Sequence, residues 1–390
     1  MLNLRSRSLR HGLVVALALV AAGGTAQTAA AEDRGLTAFD IQPTVGAGEQ
    51  VTAGARTDTR VVLEVANEQM DPNLGPGRYP SELAKNVVAD LPPGLLADPR
   101  GVPTCTPAQL EIADGPGNEC PDAAQVGVVR LSSTTAYSAT PEEDVKEYPV
   151  FNITRRGDQV ARLGFPAIIG ASAVVYVDIR VRDDGDYGAT ATLANLPSGI
   201  SFYRAEMDLW GVPGDPSHDA RRSSCQGSDG FGPSYAAGAY LTGCSTPAPD
   251  TTAAFMVNPT RCEAALSGSG RADFYGRPGQ YNTVASTPFS VGGCGGLAFS
   301  PSLSVAPESR AAGQPSGYAV DLAVPQSPQR GGPATAHVRN VSVTLPQGTA
   351  ISPSAANGLG ACSDAQLGAG TRDPVSCPDA SKIGSATISS

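Results

Sequence analysis

Three polar residues in the loop DPSHDARR have the types and the spacing of a small acid–base or metal site. Asp215 and Asp219 lie on either side of His218. Carboxylate oxygens and an imidazole can bind a divalent cation, and a histidine beside a carboxylate can exchange protons near neutral pH. Asp215, His218 and Asp219 are therefore a candidate site. The same residues also fit a turn in which Asp215 and Ser217 hydrogen-bond to the backbone, and we favour the turn.

A second acidic group, Asp183, Asp184 and Asp186, lies in the segment DDGD. Its carboxylates could bind calcium, but the segment lacks the twelve-residue loop of an EF-hand and also fits a simple hairpin turn. Trp210, the single tryptophan, could provide a stacking platform for a sugar ring, although a lone tryptophan in a β domain is more often a core residue.

Common catalytic motifs are absent from the sequence. We find no G-x-S-x-G, H-E-x-x-H or phosphate-binding loop, and we assign neither catalytic residues nor a cofactor. A glycosidase that uses two carboxylates stays open as an alternative, because it needs only a spatial pair among the 37 acidic residues.

The N-terminus indicates export. Residues 1–31 contain three arginines and no acid before a short apolar run at 13–22, and end in an A-x-A site. This pattern is typical of a cleaved signal peptide, and about 10 apolar residues are too few for a membrane span of about 20. We expect a secreted or cell-surface protein without a membrane span after cleavage.

The net charge of the chain makes nucleic acid and anionic lipid unsuitable partners. Without residues 1–31 the chain retains 24 basic and 37 acidic residues, a net charge of −13. Such a field repels nucleic acid and anionic lipid. The expected partners are cell-wall glycan or other surface proteins.

Eight cysteines in an exported chain, with no C-x-x-C pair, favour disulfides over metal or redox chemistry. Cys105 and Cys120 are fifteen positions apart, as are Cys362 and Cys377, so each is the natural pair. The other four cysteines allow three pairings, of which we expect the nearest-neighbour one. Those four are Cys225, Cys244, Cys262 and Cys294.

Several phrases occur twice, in the same order. CPDAAQVGVVRLSS at 120–133 matches CPDASKIGSATISS at 377–390, NVVADLPPG at 86–94 matches NVSVTLPQG at 340–348, and AFDIQPTVGAGE at 38–49 matches AFSPSLSVAPES at 298–309. Three matches with one cysteine spacing indicate a repeated module. We call residues 32–134 the first copy and residues 297–390 the second copy.

Each copy has the same predicted elements. The runs after Val87 and Val341 predict strands that end at Leu-Pro, because proline has no N–H for the ladder. Thr106 and Ser363 predict N-caps of short helical turns, and strands are predicted at VGVVRL and IGSATI. Between the copies, the segment 173–182 and the alternating residues after DDGD predict a hairpin.

These patterns predict an all-β protein of tandem immunoglobulin-like β-sandwich domains, with short helical turns and disulfide-stapled loops. The predicted parts are a signal peptide (1–31), a β-sandwich module (32–134), a second β domain (135–250), a disulfide-bracketed β segment (251–296) and the second module (297–390).

The phrases LPPGLLADPRGVPTC, LWGVPGDPSHDARR, NPTRC, GCGGLAFSPSLSV and LPQGTAISPSAANGLGACSDAQ resemble a family of long, exported, multi-domain actinobacterial proteins. The resemblance implies an extracellular β-rich protein and brings no catalytic residues. In that family CPDASKIG looks to be followed by more strand, so we expect this chain to stop within a tandem array. The expected function is structural or adhesive, without catalysis; the alternative is a carbohydrate-active enzyme or carbohydrate-binding protein that uses the middle domain.

Overall fold

The computed structural model describes most of the chain from residue 34 to residue 389. Outside the described residues lie 1–33, 70–77, 112–118, 134–144, 170, 183–185, 229–235, 241, 249–252, 263, 327–331, 339, 351–356, 369–370, 372 and 390. The predicted signal peptide and the residues Asp183 and Asp184 are therefore outside them.

Short strands dominate the described residues. In chain order they are β1 (Leu36–Pro43), β2 (Val51–Thr52), β3 (Thr59–Val65), β4 (Asn67–Gln69), β5 (Arg78–Pro80), β6 (Ala84–Asp90), β7 (Leu96–Ala97), β8 (Gln125–Ser132), β9 (Val145–Asn152), β10 (Ala161–Ile169) and β11 (Ala171–Val181). They continue with β12 (Ala189–Leu193), β13 (Arg204–Leu209), β14 (Gln226–Ser228), β15 (Ala236–Tyr240), β16 (Met256–Val257), β17 (Ser269–Phe274), β18 (Arg277–Ala285), β19 (Val291–Gly292), β20 (Ser302–Pro307) and β21 (Tyr318–Ala323).

Helices are short throughout the described residues. The two α-helices are α1 (Pro107–Leu110) and α2 (Asp364–Leu367), and the 3-10 turns are Asp122–Ala124, Pro216–Arg221, Ser223–Cys225, Cys294–Gly296 and Asp379–Ser381. The all-β prediction is confirmed at this level: strands are the main regular structure of the described residues, and none of the helices there is long.

One large sheet contains most of the long strands. Its order is β1-β3-β13-β8-β9-β10-β11-β12-β6-β17-β18, and every neighbouring pair is antiparallel. The strands come from residues 32–134, 135–250 and 251–296, so the predicted boundaries after 134 and 250 do not separate sheets.

The predicted central hairpin is confirmed. Strand β11 pairs with β12, and three of its alternating apolar residues, Val175, Val177 and Ile179, are 4, 4 and 6 % exposed. Val181, at the end of the strand, is 40 % exposed. The period-2 pattern thus buries one face of β11 against the main core.

The large sheet curls until its two outer strands meet. The side chain of Asn282 on β18 accepts a hydrogen bond from the Leu36 N–H at 3.0 Å and donates one to the Leu36 carbonyl at 2.7 Å on β1. Phe39 lies against Gly270, where a Cβ would stand 2.4 Å from its ring. A side-chain amide therefore replaces a backbone ladder at this closure, and the apolar faces of the strands share one core.

The described residues of the second copy contribute no strand to the large sheet. Its strands β20 and β21 form a separate antiparallel pair. The strands predicted from Val341 to the Leu-Pro pair and at 383–388 are absent from the described residues, so that prediction is wrong. Their counterparts in the first copy, β6 and β8, each lie between two neighbouring strands, and a strand is stable only with such partners.

Candidate functional site

The candidate site in DPSHDARR is a turn. The Asp215 carboxylate accepts a hydrogen bond from the Ser217 backbone N–H at 3.0 Å and caps the short 3-10 helix Pro216–Arg221. His218 Nε2 lies 3.2 Å from the carboxylate of Asp58, a residue distant in sequence. In the described part of the chain no three acidic, histidine or cysteine side chains converge as a metal site. The metal prediction for Asp215, His218 and Asp219 is therefore wrong, because the three side chains serve separate contacts.

Trp210 is a core residue. Its indole has no exposed surface and is stacked on His218, with ring centroids 4.3 Å apart and an angle of 4° between the planes. The guanidinium of Arg222 lies 5.0 Å from the indole centre. Burial lowers the pKa of Arg222, and the ion pair with Asp219 at 3.4 Å opposes that shift. Trp210 thus has no free face for a sugar ring, which corrects the prediction of a ligand-binding tryptophan.

The one described acid of the DDGD segment is held by its neighbours. An oxygen of Asp186 accepts a hydrogen bond from Arg182 Nη2 at 2.6 Å, and the other accepts one from the Gly188 N–H at 2.7 Å. Asp183 and Asp184 lie outside the described residues. The contacts of Asp186 are those of a charged hairpin turn.

All eight cysteines are paired. The disulfides are Cys105–Cys120, Cys225–Cys244, Cys262–Cys294 and Cys362–Cys377. The nearest-neighbour pairing is confirmed, and four disulfides fit an extracellular location. None of the helices in the described residues has the length and hydropathy to cross a membrane.

The two copies fold their disulfide loops alike. Thr106 caps α1 and Ser363 caps α2, each in a capping box with the glutamine three residues later. The backbone N–H of Glu119 donates to the carbonyl of Gln109 at 3.1 Å. In the second copy, the backbone N–H of Ser376 donates to the carbonyl of Gln366 at 2.8 Å. Both loops end in a 3-10 turn after Cys-Pro. Local structure is therefore encoded within the module.

The two copies differ in how far their corresponding apolar side chains are buried. Val126 and Leu110 are both 0 % exposed, whereas their counterparts Ile383 and Leu367 are 89 % and 50 % exposed. Val87 at 4 % and Val341 at 54 % show the same contrast. The second copy thus presents to solvent the apolar positions that the first copy buries.

A glycine of the shared phrase has the same contrast. In the first copy, a Cβ on Gly127 would stand 2.3 Å from the backbone carbonyl oxygen of Asp208 on β13. In the second copy, a Cβ on Gly384 would have no atom within 4 Å. Only a residue without a side chain admits the β13 backbone beside β8. The second copy keeps this glycine where the space is open.

The elements that cover the first copy follow it in the chain. Strand β8 lies between β9 and β13, and α1 packs against Phe151 and Ile153 at the end of β9. The carboxylate of Asp122 accepts hydrogen bonds from the hydroxyls of Ser223 and Ser224, at 2.7 and 2.5 Å. The segment from β9 to residue 224 therefore supplies what the second copy lacks. We refer to the exposed residues Leu367, Ile383, Gly384 and Ile388 together as the uncovered face.

An ion-pair network on the outer face of the sheet was missed by sequence reasoning. Arg130 on β8 donates to Glu147 at 2.7 Å, Glu206 at 2.6 Å and Asp208 at 2.9 Å, and Arg60 donates to Asp208 at 2.7 Å. Burial acts to raise the pKa of Asp208, but the arginines outweigh it and leave that pKa lowered. The alternation of charge in RAEMDL of β13 was the available signal, but it does not reveal which strands are neighbours.

Comparison of the chain with protein-family models, with curated proteins and with solved structures found no match.

Proposed function

We propose that this chain is a non-catalytic structural or adhesive protein of the cell surface, and that its second copy joins a partner by β-strand addition. In this mode a strand of one protein completes the sheet of another through backbone hydrogen bonds, while side-chain pockets give specificity. The second copy would then acquire from a partner the cover that β9 and β13 give to the first copy.

The contrast in burial between corresponding positions carries the proposal. Two isoleucines, Ile383 and Ile388, are 89 % and 88 % exposed on one short segment. Exposed apolar clusters in soluble proteins commonly mark interaction sites. Gly384 gives independent support. Its counterpart in the first copy, Gly127, allows the backbone of β13 to approach β8 closely.

The first copy also indicates the chemistry of the partner. The strand expected beside residues 383–388 resembles β13, with apolar side chains at alternate positions such as Met207 and Leu209. Thr387 stands where the first copy has Arg130, so the partner does not need the carboxylates that surround Arg130. The expected partner is thus an apolar-alternating β-strand without a required charge.

The tandem organisation and the export of the chain belong to the same proposal. Repeated modules that each take strands from a neighbour would build an extended array, and an immunoglobulin-like sandwich is the arrangement we propose for a completed copy. The resemblance to exported actinobacterial proteins and the four disulfides support an extracellular array of this kind. The carbohydrate-binding alternative has lost its main support, since Trp210 is buried.

A labelled peptide that spans β13 with one flanking residue on each side, YRAEMDLW (203–210), tests strand addition by fluorescence anisotropy on the purified protein. We expect saturable binding, with at least tenfold weaker affinity after Gly384→Val or Ile388→Asp. Thr387→Ala, at the position where the first copy has Arg130, is the matched control and should bind like wild type. A scrambled peptide controls for unspecific apolar contact. Absence of binding, or binding that Gly384→Val leaves unchanged, would overturn the proposal.

A further inference from the structure

Strand β21 of the second copy corresponds to β3 of the first copy. The segment TRVVLEV at 59–65 matches YAVDLAV at 318–324, with valine, leucine and valine at the same alternate positions. This match lies between those of the phrases at 38–49 and 86–94, in the order expected of a repeated module. Strand β21 also pairs antiparallel with β20, as β3 does with β1. The two strands are therefore counterparts in sequence and in pairing.

The two counterparts differ in their neighbours. Strand β3 lies between β1 and β13, whereas β21 has β20 as its one neighbour among the described residues. Leu63 of β3 is 8 % exposed, and its counterpart Leu322 is 41 % exposed. Val61 is partly buried against the core, and its counterpart Val320 is 57 % exposed. Strand β21 thus lacks, on one edge, the strand that β13 provides to β3.

In the first copy a single strand, β13, fills the place between β3 and β8. Each residue from 204 to 209 has an antiparallel partner on both of these strands. Ala205, for example, lies opposite Leu63 of β3 and Leu131 of β8. The counterparts of these two leucines are Leu322 and Ile388, and both are exposed. The second copy therefore has both strand segments that border β13 in the first copy.

An acid on β21 indicates the charge of an incoming strand. Asp321 corresponds to Val62, which lies opposite Glu206 of β13. Asp321 is exposed, and its partner across the hairpin is the uncharged Ser304. Like charges directly opposite each other in a sheet are destabilising, whereas opposite charges are favourable. A strand that pairs with β21 should therefore have a basic residue beside Asp321.

The second copy also lacks the arginines that allow the first copy to accept an acidic strand. Arg60 donates hydrogen bonds to Asp208 of β13, and Arg130 donates one to Glu206. The counterparts of Arg60 and Arg130 are an alanine and a threonine. Without these arginines, the two acids of β13 would be unfavourable in the second copy. The partner strand should therefore resemble β13 on its apolar face and differ from it in charge on the other face.

We propose that the incoming strand inserts between β21 and residues 383–388, which contribute three residues to the uncovered face, and that it carries a basic residue opposite Asp321. This inference rests on the proposed strand addition and adds to it a second edge, a register and a charge. Backbone hydrogen bonds would form along both edges, antiparallel as in β13. Apolar side chains of the incoming strand would lie beside Leu322 and Ile388. The partner is thus a protein segment with alternating apolar residues and a cationic residue between them.

Two labelled peptides that differ in one charge test this proposal by fluorescence anisotropy on the purified protein. One is YRAEMDLW (203–210), and the other is the same peptide with Glu206→Lys. The Glu206→Lys peptide should bind wild type about three- to tenfold more tightly, because it replaces a like-charge pair by an opposite-charge pair. In the protein variant Asp321→Lys the preference should reverse. A general attraction of cationic peptides to an acidic protein would not produce a reversal.

A second acid of the same hairpin provides the matched control. Glu308 lies at the turn end, where its backbone N–H donates to the carbonyl of Gly317. Four residues separate Gly317 from Asp321, or about 13 Å along a strand, which exceeds the Debye length of about 8 Å at physiological salt. Glu308→Gln should therefore leave the preference between the two peptides at its wild-type value.

The outcomes distinguish this inference from the proposed function. If Asp321→Lys leaves the preference unreversed while Gly384→Val still weakens peptide binding, the insertion beside β21 is overturned and strand addition at residues 383–388 stands. If neither peptide binds to wild type, both are overturned. A reversal in Asp321→Lys that Glu308→Gln does not reproduce would establish the register of the incoming strand.

Discussion

Leu131 and Ile388 occupy the same position in two matching phrases, yet Leu131 is 3 % exposed and Ile388 is 88 % exposed. Leu131 is covered because β8 lies between β9 and β13. The residues around Ile388 have the same alternation but no strand beside them in the described chain. Burial in this module is thus decided by the segment that packs on it.

The matched glycines test this relationship. Gly127→Ala would place a methyl group against the Asp208 carbonyl, and such overpacking costs about 1–3 kcal/mol or more. Gly384→Ala meets no atom within 4 Å and should change the unfolding free energy by less than about 0.5 kcal/mol. Urea unfolding followed by Trp210 fluorescence measures both variants. Equal destabilisation by the two substitutions would contradict the assignment of a close backbone contact to the first copy alone.

The two equally spaced disulfides should also differ in effect. Cys105 and Cys120 are 0 % and 6 % exposed and belong to a buried cluster with Phe151. Replacing both by alanine should destabilise the large sheet by about 2–5 kcal/mol. The same double substitution at Cys362 and Cys377 should leave unfolding of the large sheet, followed by Trp210 fluorescence, unchanged. A similar loss in both variants would mean that the second copy supports the large sheet.

The closure of the sheet depends on Asn282. Asn282→Ala removes both hydrogen bonds to the backbone of Leu36, which is 3 % exposed, and each buried group left unpaired costs about 1–3 kcal/mol. We expect lower stability and faster amide hydrogen exchange at Leu36. Tyr281→Ala changes the adjacent, 45 % exposed residue and serves as the control. Unchanged exchange at Leu36 in Asn282→Ala would contradict a closure made by this side chain.

Local features of this fold could be predicted from the sequence, because their causes lie within a few residues. The caps at Thr106 and Ser363, the disulfide pairing and the β11–β12 hairpin are all of this kind. The predictions that failed concern contacts between residues that are distant in the chain. The strand pattern at 383–388 does not indicate whether a neighbouring strand is present. His218 contacts Asp58, which lies 160 positions away in the sequence. The closure of the large sheet also depends on how many strands it contains, which no single segment encodes.

The ion-pair network should make the protein acid-sensitive. Burial tends to raise the pKa of Glu147, but Arg221 and Arg130 outweigh it and lower that pKa, as they and Arg60 do for Asp208. A carboxylate with a lowered pKa in the folded state stabilises fully above its unfolded pKa, about 4, and loses this contribution as pH falls through the folded pKa. The unfolding free energy should therefore decrease as pH falls from about 5 toward 3.

Asp208→Asn isolates the contribution of one carboxylate to this pH dependence. The variant should be less stable than wild type at pH 7, because Arg60 and Arg130 lose a charged partner on a mostly buried surface. Its stability should also fall less steeply between pH 5 and pH 3, since it has one fewer group to protonate. Urea unfolding followed by far-ultraviolet circular dichroism at each pH measures the slopes. Identical slopes in wild type and Asp208→Asn would show that acid sensitivity arises elsewhere in the chain.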